Sequence, residues 1–309
     1  MKQFIIYGAG KRGKWCLDFL KWRKMEDRVY AFCDKNYESL DKVDGKEVLS
    51  YETVREKGLP VLISLENTLE VQRLSSLMLN DGIEVFTREN FYKLLNEDQV
   101  VFLREWCAYH HAKNNDQWFS DAEDPNEIVI FWDKNSVFYH LFQQLDLTNM
   151  IELACGHGRH VPYYQDFAGT ITLVDILEEN MVICRDRFKE TENIIYYKNN
   201  GFNLEELPSD QYTALFTYDS MVHFEMMDVY SYLKDIYRVL EVGGKALFHH
   251  SNYNKDYKAD FSHELHARCF MDKDVFAHLA YRVGFKILEQ KVIDWHGVKE
   301  LDCITLVEK

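Results

Sequence analysis

Short apolar runs that alternate with amphipathic stretches predict an α/β protein of two units, each on a mostly parallel sheet. Two observations carry this. A glycine-rich turn follows an apolar run twice, at Gly8-Ala9-Gly10-Lys11-Arg12-Gly13 and at Gly156-His157-Gly158. Each turn is answered by an acid that closes the next apolar run, Asp34 and Asp175. A length of 309 residues with 47% hydrophobic content suffices for two cores. The expected divisions are residues 1–90 for a small first unit, 91–135 for a helical connector or lid, and 136–309 for the second unit.

In the first unit, residues 3–7 read as a buried strand, and the glycine turn opens a helix that runs to about Met25. A second strand at 29–33 ends at Asp34, a third lies at 59–64, and the Asp81-Gly82 turn leads to a fourth at 83–86. Gly8, Gly10, Gly13 and Asp34 together form a dinucleotide fingerprint, with the acid placed to meet a ribose. The pattern then stops, which leaves half of a full dinucleotide-binding fold. It resembles the small Rossmann-like domains attached to bacterial sugar-modifying enzymes. The same glycines would also serve if they only let strand, loop and helix pack closely.

The connector has an Asn- and Asp-rich middle, 114–125, that reads as a loop between Trp118 and Trp132. Tryptophan is costly to expose, so these two either form part of a lid or pack between the units. The second choice suits Trp132, beside the apolar residues Ile128, Val129, Ile130 and Phe131.

Residues 150–160 carry the strongest signal. Glycines at 156 and 158 allow a tight turn and close approach of a ligand, and Asp175 can accept both hydroxyls of a ribose. The third glycine of a pyrophosphate loop is missing, since Pro162 and Tyr163 follow instead. A nucleoside without a diphosphate points to S-adenosylmethionine rather than NAD.

The stretch resembles the first motif of class I S-adenosylmethionine-dependent methyltransferases. The likeness continues in order through Lys198-Asn199-Asn200-Gly201, Thr217-Tyr218-Asp219-Ser220-Met221-Val222-His223, Tyr237-Arg238-Val239-Leu240-Glu241-Val242-Gly243-Gly244 and Leu247-Phe248-His249-His250-Ser251-Asn252-Tyr253. It implies a Rossmann-like sheet closed by an antiparallel terminal strand, with S-adenosylmethionine as cofactor. By position, Gly156 and Gly158 would cradle the methionine part, Asp175 would hold the ribose and Asn200 would meet the adenine, with Glu152, Ala154, Ile176, Gly201 and Tyr218 as further cofactor contacts. Asn at 200 departs from the family's commoner Asp, yet its carbonyl can still accept from the adenine amine.

Chemistry is expected where the carboxyl ends of the central strands open. An alcohol acceptor must leave its proton somewhere, and a His or carboxylate serves. The candidates are His250, then Asp219 and His223. Strand alternation sends His249 and His250 to opposite faces, so one of the pair at most is catalytic. Asn252, Tyr253 and Arg268 are the candidate acceptor contacts, Arg268 as a cation for an anionic group. His263-Glu264-Leu265-His266 with Cys269 lacks the spacing of a His-Glu-x-x-His zinc motif, and no metal is expected. The aromatic and polar mixture of the insert at 253–270 suits a sugar.

A net charge of −15 argues against nucleic acid as the main partner. No run is long enough to span a bilayer and no signal-peptide pattern precedes the first strand. Seven cysteines without a Cys-x-x-Cys pair fit reduced thiols in the cytoplasm. Assembly with copies of itself is left open. The expected activity is O-methylation of a sugar or glycan precursor for a bacterial surface polysaccharide. The alternatives are methylation of another small polar metabolite or of a phosphate-type decoration, an NAD-dependent oxidoreductase, and a non-catalytic nucleotide-binding module.

Overall fold

The computed structural model of the protein describes residues 2–113, 115–262 and 265–309. The chain divides into two compact units, Met1–Phe102 and Leu103–Lys309.

The first unit contains β1 (Phe4–Tyr7), α1 (Lys11–Trp22), β2 (Val29–Cys33), β3 (Lys42–Val43), β4 (Lys46–Leu49), α2 (Tyr51–Lys57), β5 (Val61–Ile63), α3 (Thr68–Asn80), β6 (Val85–Phe86) and α4 (Phe91–Leu95). Its sheet runs β3-β4-β2-β1-β5-β6, parallel except for the β3–β4 hairpin. Six strands stand where the sequence predicts four, and they lie on both sides of β1. The hairpin turns at Asp44 and Gly45, both at positive φ, as a two-residue primed turn requires. Ser50 and Asn67 cap α2 and α3 by accepting from Thr53 and Glu70 N–H groups.

The fingerprint glycines of this unit do different jobs. Gly8 ends β1 at φ +105, which favours glycine. A Cβ on Gly13 would stand 1.8 Å from the Gly8 carbonyl oxygen, so only glycine lets α1 approach the strand. A Cβ on Gly10 would meet nothing within 4 Å. Asp34 turns back on the loop: one oxygen accepts from Ala9 N–H at 2.9 Å and the other from Asn36 N–H at 2.9 Å.

The division between the units, at Phe102 and Leu103, falls within helix α5 (Gln99–Lys113). Next come α6 (Asn115–Ala122) and α7 (Pro125–Trp132), so the segment expected as a loop is mostly helical, with Asp124 capping α7 through Asn126 N–H. Trp132 packs within the second unit: it stacks on Tyr163 and its indole N–H donates to His160 Nδ1 at 3.1 Å. The side chain of Trp118 lies outside the described residues.

Helix α8 (Val137–Phe142) then leads into β7 (Asn149–Leu153), β8 (Thr170–Asp175), α9 (Glu178–Arg187), β9 (Ile194–Lys198), β10 (Tyr212–Thr217), α10 (Met226–Val239), β11 (Leu240–Ser251), α11 (Lys273–Val283), β12 (Lys286–Trp295) and β13 (Val298–Glu308). The sheet order is β12-β13-β11-β10-β7-β8-β9. β13 inserts antiparallel between β11 and β12, while β11, β10, β7, β8 and β9 are parallel. The central parallel strands β7, β8 and β10 are buried on both faces, and alternate residues feed two cores. Met150, Ala214, Phe216 and Leu247 enter one core; Ile151, Leu215, Ala246 and Phe248 enter the other. Among the described residues, no helix is long and apolar enough to cross a membrane.

Replacing Gly13 with Ala should destabilise the protein by about 1–3 kcal/mol, because a backbone oxygen must move to admit the methyl group. Gly10→Ala should leave stability nearly unchanged. Denaturant unfolding of the full chain and its two variants checks the contrast.

Candidate active site

A cavity of about 280 Å³ opens where β7, β8 and β10 end. Ala154, Cys155 and Gly156 form its floor after β7, and Asp175, Ile176 and Leu177 follow β8. Tyr218, Asp219 and Ser220 follow β10, with His223, Phe224 and Glu225 beyond them. Arg104, Cys107 and His111 contribute from α5, Phe119 from α6 and Phe261 from the insert.

The glycine loop is held open by backbone geometry and by Asp175. Ala154 and Gly156 have φ of +58 and +55, so the chain turns in the left-handed region with bare backbone on the cavity. One Asp175 oxygen accepts from Gly156 N–H at 3.0 Å; the other accepts from Leu177 N–H and from Asn180 Nδ2. Burial pushes the Asp175 pKa up, and the Leu177 and Gly156 donors oppose it. A carboxylate has lone pairs beyond these, so Asp175 can still accept from a ribose. Phe119 stacks on His157 with 4.0 Å between centroids, and its ring fills the place of a Cβ on Gly156.

Several expected contacts lie elsewhere. Gly158 does not line the cavity; its φ is +73 and a Cβ there would strike Phe188 at 2.5 Å, so it serves packing. Glu152 is buried below the loop, where it accepts from Tyr164 Oη at 2.5 Å, and burial raises its pKa to about 8. Asn200 is exposed and folds its side chain into its own turn, accepting from Phe202 and Asn203 N–H groups, although the adjacent Gly201 reaches the cavity. Asn252 is occupied by Glu300 O and Lys273 N–H, and the Tyr253 backbone by Ser251 and Met271. Arg268, only 2% exposed, spends its guanidinium on both oxygens of Asp302 and does not line the cavity.

The three base candidates separate clearly. His250 is fully buried on the face of β11 away from the cavity, stacked on Phe276 at 3.9 Å. The reason is strand alternation, which sends Ala246, Phe248 and His250 toward α11 and sends His249 the other way. Its Nδ1–H donates to Ser251 O and Nε2 lies 2.9 Å from Thr305 Oγ1, which leaves no lone pair for an acceptor. Asp219 does line the cavity, at φ +53, but it is ion-paired with Arg159 at 3.1 Å. Burial raises its pKa, and Arg159, His249, His223 and Arg268 together more than reverse this, so the carboxylate is held below its ordinary range.

His223 also lines the cavity. Its Nδ1–H donates to Ala267 O at 2.9 Å, which leaves Nε2 as the acceptor. Burial first, then Arg268 and His111, push its pKa down to about 3.

His249, absent from the expected set, braces this end of the sheet. Its Nδ1 accepts from Asp219 N–H at 3.0 Å, so the ring carries its proton on Nε2 and donates to Asp302. Burial would raise Asp302, but His249 and Arg268 hold it at about 2. Arg104, His111, Phe119, Arg159 and Glu225 are further cavity residues that sequence patterns leave unmarked. Arg104 is paired with both oxygens of Asp228. Among the described residues, no three His, Cys, Asp or Glu side chains are grouped to hold a metal ion; His263 and Glu264 lie outside them.

Buried neutral histidines make the fold acid-sensitive. His250 has a pKa of about 4 against an ordinary 6.5, because burial disfavours the charged ring. Above pH 6.5 neither state binds its proton; between 6.5 and 4 only the unfolded chain does, so stability falls as pH falls. The loss from this residue should reach roughly 3 kcal/mol at pH 4. His250→Gln should flatten the stability–pH slope in that window by about one proton and leave methyl transfer intact, as unfolding across pH and a rate assay will show.

Residues 151–248 match the family model described as a methyltransferase domain. No curated protein sequence matches the chain. Among solved structures it is similar to an S-adenosylmethionine-dependent methyltransferase from Mesorhizobium loti, with 14% identity over 56% of this chain and 97% of that one and a TM-score of 0.47. It is also similar to one from Aquifex aeolicus, with 12% identity, 61% and 95% coverage and a TM-score of 0.46. A geranyl diphosphate C-methyltransferase from Streptomyces coelicolor A3(2) shares 11% identity over 55% and 76%, with a TM-score of 0.47. Residues 151–248 of the second unit therefore carry a methyltransferase domain, on a mostly parallel sheet into which the antiparallel β13 inserts.

Proposed function

We propose that the enzyme methylates a hydroxyl of a small, sugar-like acceptor or glycan precursor, with His223 as the base. The observation that carries this reading is the His223 ring, oriented by Ala267 O with Nε2 left to accept on a cavity that Asp175 and Gly156 also line. The loop from Ala154 to Gly156 would take the methionine part of the cofactor, Asp175 the ribose, and Ile176, Leu177 and Gly201 the adenine end. Bound there, S-adenosylmethionine would supply a sulfonium methyl group, whose carbon bonds the acceptor oxygen in line as its bond to sulfur breaks and S-adenosylhomocysteine leaves.

His223 then takes the hydroxyl proton on Nε2, and the nearby Asp219 carboxylate favours the resulting charge. Because burial keeps the ring neutral, it stands ready as an acceptor throughout the neutral range. The sugar class is supported by Phe224 and Phe261 interleaved with His111, His223 and Glu225. A likeness of the first unit to domains of sugar-modifying enzymes points the same way, by analogy. A phosphate-type acceptor suits the cavity less, since Arg104 and Arg159 are already paired with carboxylates. Seven free thiols fit work in a reducing cytoplasm.

His223→Ala should lower kcat by about a hundredfold to ten-thousandfold with little change in S-adenosylhomocysteine affinity. Unaltered turnover would reject the assignment. Asp175→Ala should weaken S-adenosylhomocysteine binding by about 1–3 kcal/mol, through the lost ribose acceptor and the freed Gly156 and Leu177 N–H groups. Calorimetry on both variants separates a defect in binding from one in transfer.

A further inference from the structure

The acceptor half of the cavity has a chemistry of its own. Three rings that line it, His111, His223 and Phe261, lie close together, with centroids 5.8 Å apart for the two histidines and 5.4 and 5.6 Å for each with Phe261. They come from α5, from the turn before α10 and from the insert, so the fold gathers them from three separate segments. Burial lowers the pKa of both histidines, so all three rings are uncharged at neutral pH.

Four carboxylates and two guanidinium groups line the cavity. Arg104 is paired with Asp228 and Arg159 with Asp219, while backbone N–H groups hold Asp175 at the ribose end. Glu225 differs from these. It lines the cavity next to His223 and Phe224, and among the described residues its side-chain contact is the Cys269 thiol at 3.7 Å, with no cation. Uncharged rings beside a carboxylate that lacks a cation are complementary to a positive group, which ring faces and the carboxylate attract together.

We propose that Glu225 with His111, His223 and Phe261 forms a subsite for an ammonium group on the acceptor, so that the substrate is a hydroxylated amine of the amino-sugar kind; this rests on the hydroxyl-acceptor reading above. The amine is held and the hydroxyl is methylated, which separates recognition from chemistry. Glu225 fixes the amine, and His223 serves both as a wall and as the base.

The groups that face Glu225 set how the subsite responds to pH. Burial, then Asp260 of the insert, raise its pKa to about 7, with Asp228 adding to this and the Cys269 thiol opposing it; Cys107 faces it from α5. An ammonium ligand should therefore bind more tightly as pH rises through about 7, as Glu225 loses its proton.

The test uses the full-length protein loaded with S-adenosylhomocysteine and two probes of similar shape, tetramethylammonium and neutral tert-butanol. Wild type should bind the cation about tenfold or more tightly than the alcohol. Glu225→Gln should abolish that preference and its pH dependence, and Glu225→Asp should restore part of it. S-adenosylhomocysteine affinity should stay unchanged in both variants, which reports that they fold. Equal binding of the two probes by wild type, or an undiminished preference in Glu225→Gln, overturns the proposal. So does a loss of S-adenosylmethionine affinity relative to S-adenosylhomocysteine in Glu225→Gln, which would assign the carboxylate to the sulfonium. Cation binding that depends on Glu225, together with an acceptor methylated on nitrogen or carbon, supports the subsite and rejects the hydroxyl reading instead.

Discussion

One fully buried carboxylate, Asp302 on β13, ties together the segments that shape the His223 side of the cavity. It holds Arg268 of the insert through two hydrogen bonds and His249 of β11 through a third. His249 passes the constraint to β10 by accepting from Asp219 N–H, and Arg268 stands next to Ala267, whose carbonyl orients His223. Burial of these charges is tolerated because every one is met by a hydrogen-bonded partner, and removing any one partner would strand the others. The network is better understood as fixing geometry than as adding net stability, since apolar residues of the same shape could hold the sheet as well.

A second constraint appears in both units with the same parts. In each, an acid that ends the second strand reaches back to a backbone N–H of the preceding glycine loop: Asp34 to Ala9 and Asp175 to Gly156. The acid thus shapes the loop before it meets any ligand. In the second unit the loop floors a cavity. In the first, Gly13 is demanded by the approach of α1 to the backbone.

The legible parts of this protein were those written in local pattern. Both glycine loops and the acids after them could be read from apolar runs and turn residues, and the antiparallel close from the resemblance those motifs carry. The β3–β4 hairpin leaves little trace in the pattern because its strands are short and rich in charge; its one local signal is the Asp44-Gly45 turn. Residues 115–122 look like loop by composition, yet they form α6, where Phe119 meets the glycine loop. The choice between His250 and His223 depends on which face of a strand a residue takes and on what the far end of the chain packs against it. Thr305 and Asp302, which lie more than fifty residues beyond β11, settle the surroundings of the His249-His250 pair. Arg104, His111 and Glu225 reach the cavity by tertiary folding and carry no motif at all.

Two thiols, Cys107 and Cys155, line the cavity proposed for the methyl donor. A sulfonium methyl is an alkylating agent, and a thiolate beside it would be the strongest nucleophile in the site. Burial drives the pKa of both thiols upward, so each keeps its proton. With the methyl donor bound as proposed, the apolar walls that shape the cavity would therefore also keep the enzyme from alkylating itself.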